Sequence, residues 1–362
     1  MKIPFVDLKR ETLIIKDSFQ KGLENILDNS SFVGGNYVKE FEERFSVMQE
    51  FNRVVSCANG TDAIMIALRS LGIKPGDEVI VPAQTWISTA SAVNAIGAIP
   101  IFCDIDEYNC IDCKELDKAL TKKTKAVIAV HLYGMPANIQ KILDFCKLNG
   151  LFLIEDCAQA HLATFDEKLV GTFGDIATFS FYPSKNLGAF GDAGCMCTNN
   201  PDLAEKLLYF ARHGGPKKGD HRFPAYNSRM DPIQALVLSC KMDFLKSWTY
   251  NRRQAANHYI ASISNPLIEI PKIRDNSNPV WHLFVVQTDS RDTLKIYLEN
   301  NHISTAIQYP NCLPALQAYG CNDKEFSQAS NQSKRILSLP IFSLIKENEI
   351  NYVCEALNAY EG

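Results

Sequence analysis

Residues Thr178 to Gly194 read T-F-S-F-Y-P-S-K-N-L-G-A-F-G-D-A-G, and the rest of the chain is organised around this stretch. Its opening apolar run is typical of a short buried strand. The chain then turns at Pro183 and presents Lys185 from a glycine-rich segment. A lysine amine whose pKa is lowered by its surroundings can form a Schiff base with a carbonyl, but a single loop lysine is far more often a solvated charge. Lys185 is therefore a candidate for covalent chemistry only if the chain supplies the other groups of a cofactor site.

The size and composition indicate a globular protein of two domains. Because 362 residues exceed what one core usually holds, we expect a large domain over residues 1–245 and a small domain over residues 246–362. A net charge of −4 without a basic block argues against a nucleic-acid surface. The N-terminus lacks the apolar core of a signal peptide, and no apolar run is long enough to span a bilayer. We therefore expect a cytoplasmic protein with no nucleic-acid or membrane partner.

The twelve cysteines do not indicate a disulfide framework. Such frameworks are typical of small secreted chains, whereas many of these cysteines stand in apolar segments, so we expect reduced and mostly buried thiols. Cys110-x-x-Cys113 and Cys195-x-Cys197 each resemble half of a metal site, but neither has a second pair at zinc-like spacing. We therefore expect no bound metal.

The first part of the chain contains a candidate anion site. We predict a helix over about residues 12–28, and apolar residues at spacings of three and four predict an amphipathic helix over residues 38–48. A short strand, Val54–Cys57, precedes small residues and a helix that is apolar on nearly all sides, which places a buried helix N-terminus at Gly60 and Thr61. Such a terminus offers free amides and the positive end of the helix dipole to a phosphate, although a capped core helix has the same pattern.

Residues 77–156 alternate near-continuous apolar strands with helices, which is the pattern of a mostly parallel sheet covered on both faces. Asp156 lies at the carboxyl end of one such strand, where open α/β sheets bind their ligands. Gly188, Gly191 and Gly194 follow the lysine turn at G-x-x-G-x-x-G spacing. This is not the dinucleotide fingerprint, so the sequence argues against a nicotinamide oxidoreductase.

The C-terminal third predicts a smaller α+β domain. It follows a polar stretch, residues 213–223, that we expect to be a mobile or partner-contacting loop. Asp231 and Pro232 are the expected cap and first-turn residue of a long helix that ends near Ser262. Beyond it we predict one strand and three helices, over residues 281–288, 292–300, 331–337 and 347–360.

Seven stretches of the chain form a highly specific set, although no single one is specific. They are G-N-Y-V-K-E-F-E, A-N-G-T-D-A-I, P-G-D-E-V-I-V-P-A-Q-T-W-I-S-T, V-H-L-Y-G, I-E-D-C-A-Q-A-H, F-S-F-Y-P-S-K-N-L-G and N-S-R-M-D-P-I-Q-A. Through them most of residues 1–260 resembles the enzymes of fold type I that use pyridoxal 5'-phosphate (PLP). More narrowly, the chain resembles the nucleotide-sugar aminotransferases of the DegT/DnrJ/EryC1/StrS family. The resemblance implies an α/β large domain with a mostly parallel sheet and a smaller α+β C-terminal domain.

The resemblance also implies how the chain would hold the PLP ring. Lys185 would form the Schiff base, and Asp156 would pair with the protonated pyridine nitrogen and keep the ring an electron sink. A carboxylate beside a cation stays ionised, which agrees with that role. Gln159 would hydrogen-bond the phenolic oxygen of the ring, and Trp86 would stack on its face.

The cofactor phosphate has its own implied contacts. The amides at Gly60 and Thr61 and the hydroxyl of Ser180 would bind it within one chain. Asn227 would reach the same phosphate from a neighbouring subunit, which implies a homodimer with shared active sites.

The reaction implied by the resemblance is transamination. L-glutamate, the usual donor of the family, would convert the cofactor into pyridoxamine 5'-phosphate, with Lys185 as general acid and base. A keto-sugar nucleotide would then accept the amino group from the cofactor. The runs K-N-L-G-A-F-G-D-A-G and A-N-G-T-D-A favour a 3-keto-6-deoxyhexose, best assigned to dTDP, over a 4-keto substrate. The product would serve cell-surface glycan biosynthesis, such as O-antigen of lipopolysaccharide.

Two other functions remain open beside C3 and C4 aminotransferases. A sugar 3-dehydratase of the same fold has histidine in place of the Schiff-base lysine, so Lys185 argues against it. A regulatory or sensory protein of the same fold predicts a basic DNA-binding patch or a helix-turn-helix, and the sequence shows neither.

The substrate contacts are less determined by the sequence than the cofactor contacts. The diphosphate of a sugar nucleotide requires cations, and the polar loop supplies several, while the three glycines after Lys185 are expected to leave room for the sugar nucleotide. The candidate substrate residues are Tyr182, Lys218, His221 and Arg229, with Lys217 and Arg222 as further loop cations.

Some positions depart from the family pattern. Leu162 stands where many relatives have glycine, and Gln308 stands where they often have histidine. His131 and His161 could face substrate, but structural histidines with satisfied hydrogen bonds are the more common case.

Overall fold

The structure is a computed structural model and describes residues 1–320 and 322–362. The α-helices are α1 (Leu8–Asp28), α2 (Asn36–Gln49), α3 (Gly60–Ser70), α4 (Ser88–Ala95), α5 (Leu116–Ala119), α6 (Ile139–Asn149), α7 (Pro201–Ala211), α8 (Pro232–Ser262), α9 (Arg291–Asn300), α10 (Ser327–Arg335) and α11 (Glu347–Asn358). The strands are β1 (Arg53–Cys57), β2 (Glu78–Pro82), β3 (Ile99–Cys103), β4 (Thr124–Val130), β5 (Phe152–Asp156), β6 (Thr164–Phe165), β7 (Lys168–Leu169), β8 (Ile176–Ser180), β9 (Gly194–Thr198), β10 (Ser277–Asn278), β11 (Phe284–Gln287) and β12 (Ile336–Leu339). Short 3-10 turns span Leu132–Gly134, Leu313–Ala315 and Asp323–Glu325.

The central sheet has seven strands in the order β1-β9-β8-β5-β4-β2-β3. All neighbours are parallel except β9, which runs antiparallel to both β1 and β8. The mostly parallel sheet predicted from the sequence is therefore confirmed. The antiparallel strand β9 was not predicted, and it contains Cys195 and Cys197, whose thiols lie in the core with their sulfur atoms 3.7 Å apart.

Helices cover both faces of this sheet, and successive strand residues alternate between two cores. Ile80 and Val127 belong to one core with residues of α2, α6 and α8. Val79, Val81 and Ile128 belong to the opposite core with residues of α3, α4 and α7. Because both faces are buried, these strands read as continuous apolar runs rather than as alternating ones.

A third core lies in the C-terminal part of the chain. There β11 and β12 form a two-stranded antiparallel sheet that packs with α9, α11 and the second half of α8. The first half of α8 packs in the core of the central sheet, and the helix runs without a break through residue 245. The division into domains at that residue stays a prediction.

Some local predictions differ from the structure. The predicted helix over residues 331–337 is α10, but it ends at Arg335, because the following I-L-S-L is buried and pairs with β11 as a strand. The predicted strand over 281–288 is shortened to β11. Pro232 opens α8 as expected, whereas the Asp231 side chain makes no capping hydrogen bond.

Apart from Cys312, the described part of the chain contains ten cysteines that are free thiols, and eight of these ten are buried. Among the described helices, none combines the length and the apolar character that crossing a membrane requires.

Candidate cofactor site

Six strands of the central sheet end along one edge. Strands β1, β2, β3, β4, β5 and β8 run in the same direction, so the segments that follow them emerge together. This carboxyl edge is where open α/β sheets bind ligands. The loops and helix starts along it carry the predicted ring and phosphate residues Gly60, Thr61, Trp86, Asp156, Gln159, Ser180 and Lys185.

Asp156 is the last residue of β5 and is only 6% exposed. One carboxylate oxygen accepts a hydrogen bond from the Ala158 amide at 3.1 Å, and the other accepts one from the Thr89 hydroxyl at 3.3 Å. Burial raises the pKa of the carboxyl, and these two donors and the Lys185 amine oppose that effect only in part. An ionised Asp156 therefore favours an additional positive partner in the site.

Lys185 lies in the turn after β8, where its backbone amide donates to the carbonyl of Tyr182 at 2.8 Å. Its side chain is half-buried. Burial lowers the pKa of the amine to about 8, against an ordinary 10.5, and the negative charge of Asp156 acts in the opposite direction. The amine is therefore neutral, and able to attack a carbonyl, at mildly alkaline pH.

The glycines after Lys185 do not create the space for a sugar nucleotide that the sequence suggested. A side chain at Gly188 would meet the carbonyl oxygen of Pro183 at 2.2 Å, and one at Gly194 would meet the backbone of Asn59 at 2.5 Å. These glycines instead let segments of the chain's own backbone cross at close range. At Gly188 and Gly194 that expectation is wrong, because the space beside them is occupied by the chain's own backbone.

The start of α3 lies directly against the end of β8. Asn59 caps the helix by accepting a hydrogen bond from the Asp62 amide at 2.8 Å. A Cβ atom at Gly60 would lie 2.7 Å from that of Ser180, so the Ser180 hydroxyl stands beside the first helical turn. The Thr61 hydroxyl donates to Ser88 at 2.8 Å. Hydroxyl groups and the amides of a helix start are thus brought together, as an anion site requires.

Gln159 connects the ring residues to the C-terminal part of the chain. Its side-chain oxygen accepts a hydrogen bond from the Tyr133 amide at 2.6 Å, and its nitrogen donates to the Tyr309 hydroxyl at 3.3 Å. The Tyr309 ring in turn lies 5.3 Å from the ring of Trp86, which is 55% exposed. Neither tyrosine is among the predicted site residues, although Gln308, next to Tyr309, is one of the positions that depart from the family pattern.

The two histidines considered in the sequence differ in their bonding. His131 is a structural histidine, since its Nδ1 accepts from the Ala137 amide at 3.0 Å and its Nε2 lies 3.1 Å from Glu155. His161 is fully buried, but neither ring nitrogen has a hydrogen-bond partner among the described residues. Burial and the nearby Lys185 lower the pKa of His161 to about 3, so its ring is neutral.

The two departures from the family pattern have visible consequences. Leu162 has a φ of 66°, a left-handed conformation that explains why glycine suits this position. The carbonyl of Gln308 accepts a hydrogen bond from the Tyr133 hydroxyl, while its side-chain oxygen is buried and unpartnered among the described residues.

The candidate substrate residues lie at the surface. Tyr182, beside the lysine turn, is 55% exposed. The polar stretch forms a hairpin in which the backbones of Lys217 and Asp220 form an antiparallel bridge, and the His221 ring lies 2.9 Å from the carbonyl oxygen of His213. Lys218 and Arg229, also substrate candidates, are exposed, and so is Asn227, the predicted phosphate contact of the neighbouring subunit. Within one chain the described contacts do not bring the hairpin cations to Lys185.

The described residues fit PLP. The buried Asp156 carboxylate favours a cation such as a pyridinium. The start of α3 with Ser180 suits a phosphate, and the exposed ring of Trp86 offers an aromatic face. Lys185 supplies an amine that burial makes easier to deprotonate. The chemistry of these groups is complementary to each part of the cofactor.

Comparisons with known proteins agree with this fit. Residues 13–358 match the model of the DegT/DnrJ/EryC1/StrS aminotransferase family. Three curated relatives are 38–39% identical. They are the "Pleiotropic regulatory protein" of Geobacillus stearothermophilus (38%; 99% of this chain and 98% of the relative), the UDP-N-acetyl-3-dehydro-alpha-D-glucosamine 3-aminotransferase of Acidithiobacillus ferrooxidans (39%; 96% and 95%) and the dTDP-3-amino-3,6-dideoxy-alpha-D-galactopyranose transaminase of Aneurinibacillus thermoaerophilus (38%; 99% and 99%).

A solved structure shows the same fold over almost the whole chain. The crystal structure of S. venezuelae DesV, in complex with a ketimine intermediate, superposes with a TM-score of 0.96 at 35% identity and covers 99% of this chain and 98% of its own. The α/β fold of the PLP aminotransferases is therefore confirmed. The chain belongs to the DegT/DnrJ/EryC1/StrS family and is a PLP-dependent aminotransferase.

Proposed function

We propose that the protein transfers the amino group of L-glutamate to C3 of a 3-keto-6-deoxyhexose linked to dTDP. It acts as a cytoplasmic homodimer, and its amino-sugar nucleotide serves cell-surface glycan biosynthesis. The observation that carries the proposal is the placement of Lys185 and Asp156 at one strand edge, with the pKa of the lysine lowered to about 8. The names of two relatives, both of which specify position 3 of a nucleotide sugar, support the choice of C3.

The roles of the residues follow from their positions. When bound, PLP supplies an electron sink for the carbanion character that develops at the substrate carbon. Asp156 would hold the pyridine nitrogen in its charged form, and the neutral amine of Lys185 would take the proton from the Cα of the donor and deliver it to C4′ of the cofactor. Gln159 orients the ring, and Gly60, Thr61 and Ser180 fix the phosphate. Each of these residues acts by binding, orienting or moving one proton.

The proposal includes a dimer because Asn227 would contact the cofactor phosphate of a neighbouring subunit. Its side chain is exposed, while the adjacent Ser228 binds Asp62 of the same chain at 2.6 Å and so holds this segment near the start of α3. A second copy of the chain packed against this face would receive Asn227 at its own phosphate site. Tyr182, Lys218, His221 and Arg229 would then surround the sugar nucleotide from both subunits.

Two alternative functions would use the same fold. A C4 aminotransferase would use the same cofactor residues, and only the sugar contacts would differ. A regulatory role is favoured by the name of one relative of 38% identity. A regulator without catalysis has no use for the conjunction of Lys185, Asp156 and Gln159, so we favour the enzyme.

The substrate assignment is tested with a panel of nucleotide sugars. PLP-loaded protein is incubated with L-glutamate and with 3-keto or 4-keto sugars on dTDP, UDP or GDP, and products are identified by NMR. The proposal predicts turnover of the dTDP-linked 3-keto sugar and a 3-amino product. Preference for a 4-keto sugar would move the proposed site of amination from C3 to C4. No turnover with any keto sugar or amino donor would contradict the proposed aminotransferase activity.

A further inference from the structure

A second lysine, Lys241, is buried behind the turn that carries Lys185. It lies on α8 and is 1% exposed, although lysine is among the residues least often buried. Its Nζ atom donates a hydrogen bond of 2.7 Å to the carbonyl of Gly188, three residues beyond Lys185. The side chain thus ends at the backbone of the loop in which the covalent residue stands.

A carboxylate from the first helix neutralises this cation. Glu11 of α1 is 4% exposed, and one of its oxygens lies 3.8 Å from the Lys241 Nζ. The other oxygen accepts a hydrogen bond of 2.6 Å from the Ser343 hydroxyl. Because 3.8 Å is an ion-pair distance rather than a hydrogen bond, the direct bond of Lys241 is the one to Gly188.

The same loop has further anchors on its two sides. The Phe190 amide donates to the side-chain oxygen of Gln234 on α8 at 2.9 Å, and the Lys241 Nζ lies 5.3 Å from the centre of the Phe190 ring. On the other side Asn186 donates to the carbonyl of Val280 at 3.2 Å. A side chain at Gly188 would meet the carbonyl oxygen of Pro183 at 2.2 Å, so the two ends of the turn lie close together.

A buried ion pair is a poor way to stabilise a core, because apolar residues of similar volume are often as stable or more so. Gly188 is buried, however, so its carbonyl requires a hydrogen-bond donor, and Lys241, paired with Glu11, provides one. We propose that Lys241 is a positioning residue that fixes the backbone of the lysine turn so that Lys185 reaches the carbonyl of PLP. This inference rests on the proposed role of Lys185 as the covalent residue.

The test separates positioning from stability with matched variants. Lys241→Met removes the donor and leaves Arg252 as the buried cation near Glu11, whereas Glu11→Met/Lys241→Met removes the donor together with the carboxylate. Lys241→Arg keeps a charged donor and serves as the conservative rescue. Lys246→Met is the control, since Lys246 lies on the same helix and is exposed.

Two readouts are taken, and neither is catalytic activity. The first is deuterium uptake of a peptide covering residues 181–191 in the PLP-free protein. The second is the fraction of protein in which borohydride traps PLP on Lys185 at limiting PLP. For both Met variants we expect at least fivefold faster exchange of that peptide and at least tenfold less trapping, while Lys241→Arg recovers most of both and Lys246→Met changes neither.

Several results would overturn the inference. Wild-type exchange and trapping in the double variant would mean that Lys241 acts only on stability, and failure of Lys241→Arg to recover either would remove the donor argument. If the single variant does not fold, the double variant still decides between these outcomes. If PLP is not trapped on Lys185 even in the wild type, the proposed function fails, and the exchange data alone show whether Lys241 anchors the turn.

Discussion

A half-buried lysine and a buried carboxylate determine the chemistry of the site at the scale of single residues. Burial disfavours the cation of Lys185 and lowers its pKa to about 8, and burial disfavours the anion of Asp156 and raises its pKa. Each charge partly compensates the burial of the other. The lysine is therefore a better nucleophile near neutral pH than a solvated lysine, for which the ordinary pKa is 10.5.

The first prediction concerns the pH dependence of PLP attachment. As the pH rises through about 8, Lys185 loses its proton, so the rate at which PLP attaches to the PLP-free protein should rise with a midpoint there. The rate is compared at each pH with that of a simple model amine, which corrects for the titration of PLP itself. Asp156 raises the pKa of Lys185, so Asp156→Asn should move that midpoint to lower pH. Stopped-flow absorbance measures both. A midpoint near 10, or an upward shift in the variant, would contradict this electrostatic description.

The second prediction concerns Leu162, which adopts a left-handed conformation with a φ of 66°. Both Leu162→Gly and Leu162→Ala lose the packing of the half-buried side chain, but only glycine removes the backbone strain. The glycine variant should therefore be more stable than the alanine variant by about 1 kcal/mol, as measured by urea unfolding. Equal stabilities, or a more stable alanine variant, would show that the position carries no strain.

At the scale of elements, the contact between the start of α3 and the end of β8 forms the proposed phosphate site. In Gly60→Ala the added methyl would lie 2.7 Å from the Cβ of Ser180, which forces the two elements apart. We expect a loss of stability of about 1–3 kcal/mol together with weaker PLP binding. Ser180→Ala adds no bulk, so it should keep the stability and weaken PLP binding alone, by about tenfold for one lost hydrogen bond to a charged group.

Thermal unfolding and equilibrium dialysis of PLP distinguish these two variants. Inorganic phosphate should also raise the melting temperature of the PLP-free wild type more than that of either variant. Unchanged PLP affinity in Ser180→Ala would remove Ser180 from the phosphate contacts.

Much of the element order could be predicted because it depends on local patterns. The strands of the central sheet are apolar on both faces, and the start of α3 has its cap and small residues in sequence. The boundary between α10 and β12 could not be predicted, because Ile336 and Leu337 are apolar residues that suit a helix as well as a strand. Their state is decided by pairing with β11, which lies some fifty residues away in the sequence.

The same limit applies to the site. Lys185, Asp156, Gly60 and Ser180 stand next to strand ends and helix starts, so their shared edge follows from the parallel sheet. Tyr309 comes from a loop of the C-terminal part, and its contact with Gln159 depends on how that part packs on the central sheet. The bonding of His161 was also not predictable, because a sequence does not show which buried ring lacks a partner.

At the scale of the whole molecule, α8 joins the core of the central sheet to the C-terminal core. Its first half packs beneath the central sheet and its second half beneath β11 and β12. Lys241 lies in the first half of α8, and its ion pair with Glu11 connects α1 to the same helix. The lysine turn is therefore supported by elements from both ends of the chain.

The proposed dimer makes a further prediction through Asn227. If Asn227 acts in the site of the neighbouring subunit, mixing inactive Lys185→Ala with Asn227→Ala should restore activity. A mixed dimer would contain one intact site, so complete exchange of subunits at equal amounts should give about a quarter of the wild-type activity. No recovery despite subunit exchange, shown by mass spectrometry of the mixed dimer, would place Asn227 in the site of its own chain.

The central claim is that Lys185 carries PLP for amino transfer. The most direct measurement treats the PLP-loaded protein with borohydride and locates the cofactor by peptide mapping, with Lys185→Ala alongside and with a sample first exposed to L-glutamate. We predict visible absorbance that glutamate bleaches, one modified peptide carrying the cofactor on Lys185, and no reducible adduct in the variant. A covalent adduct at another lysine, or one that persists in Lys185→Ala, would contradict the account.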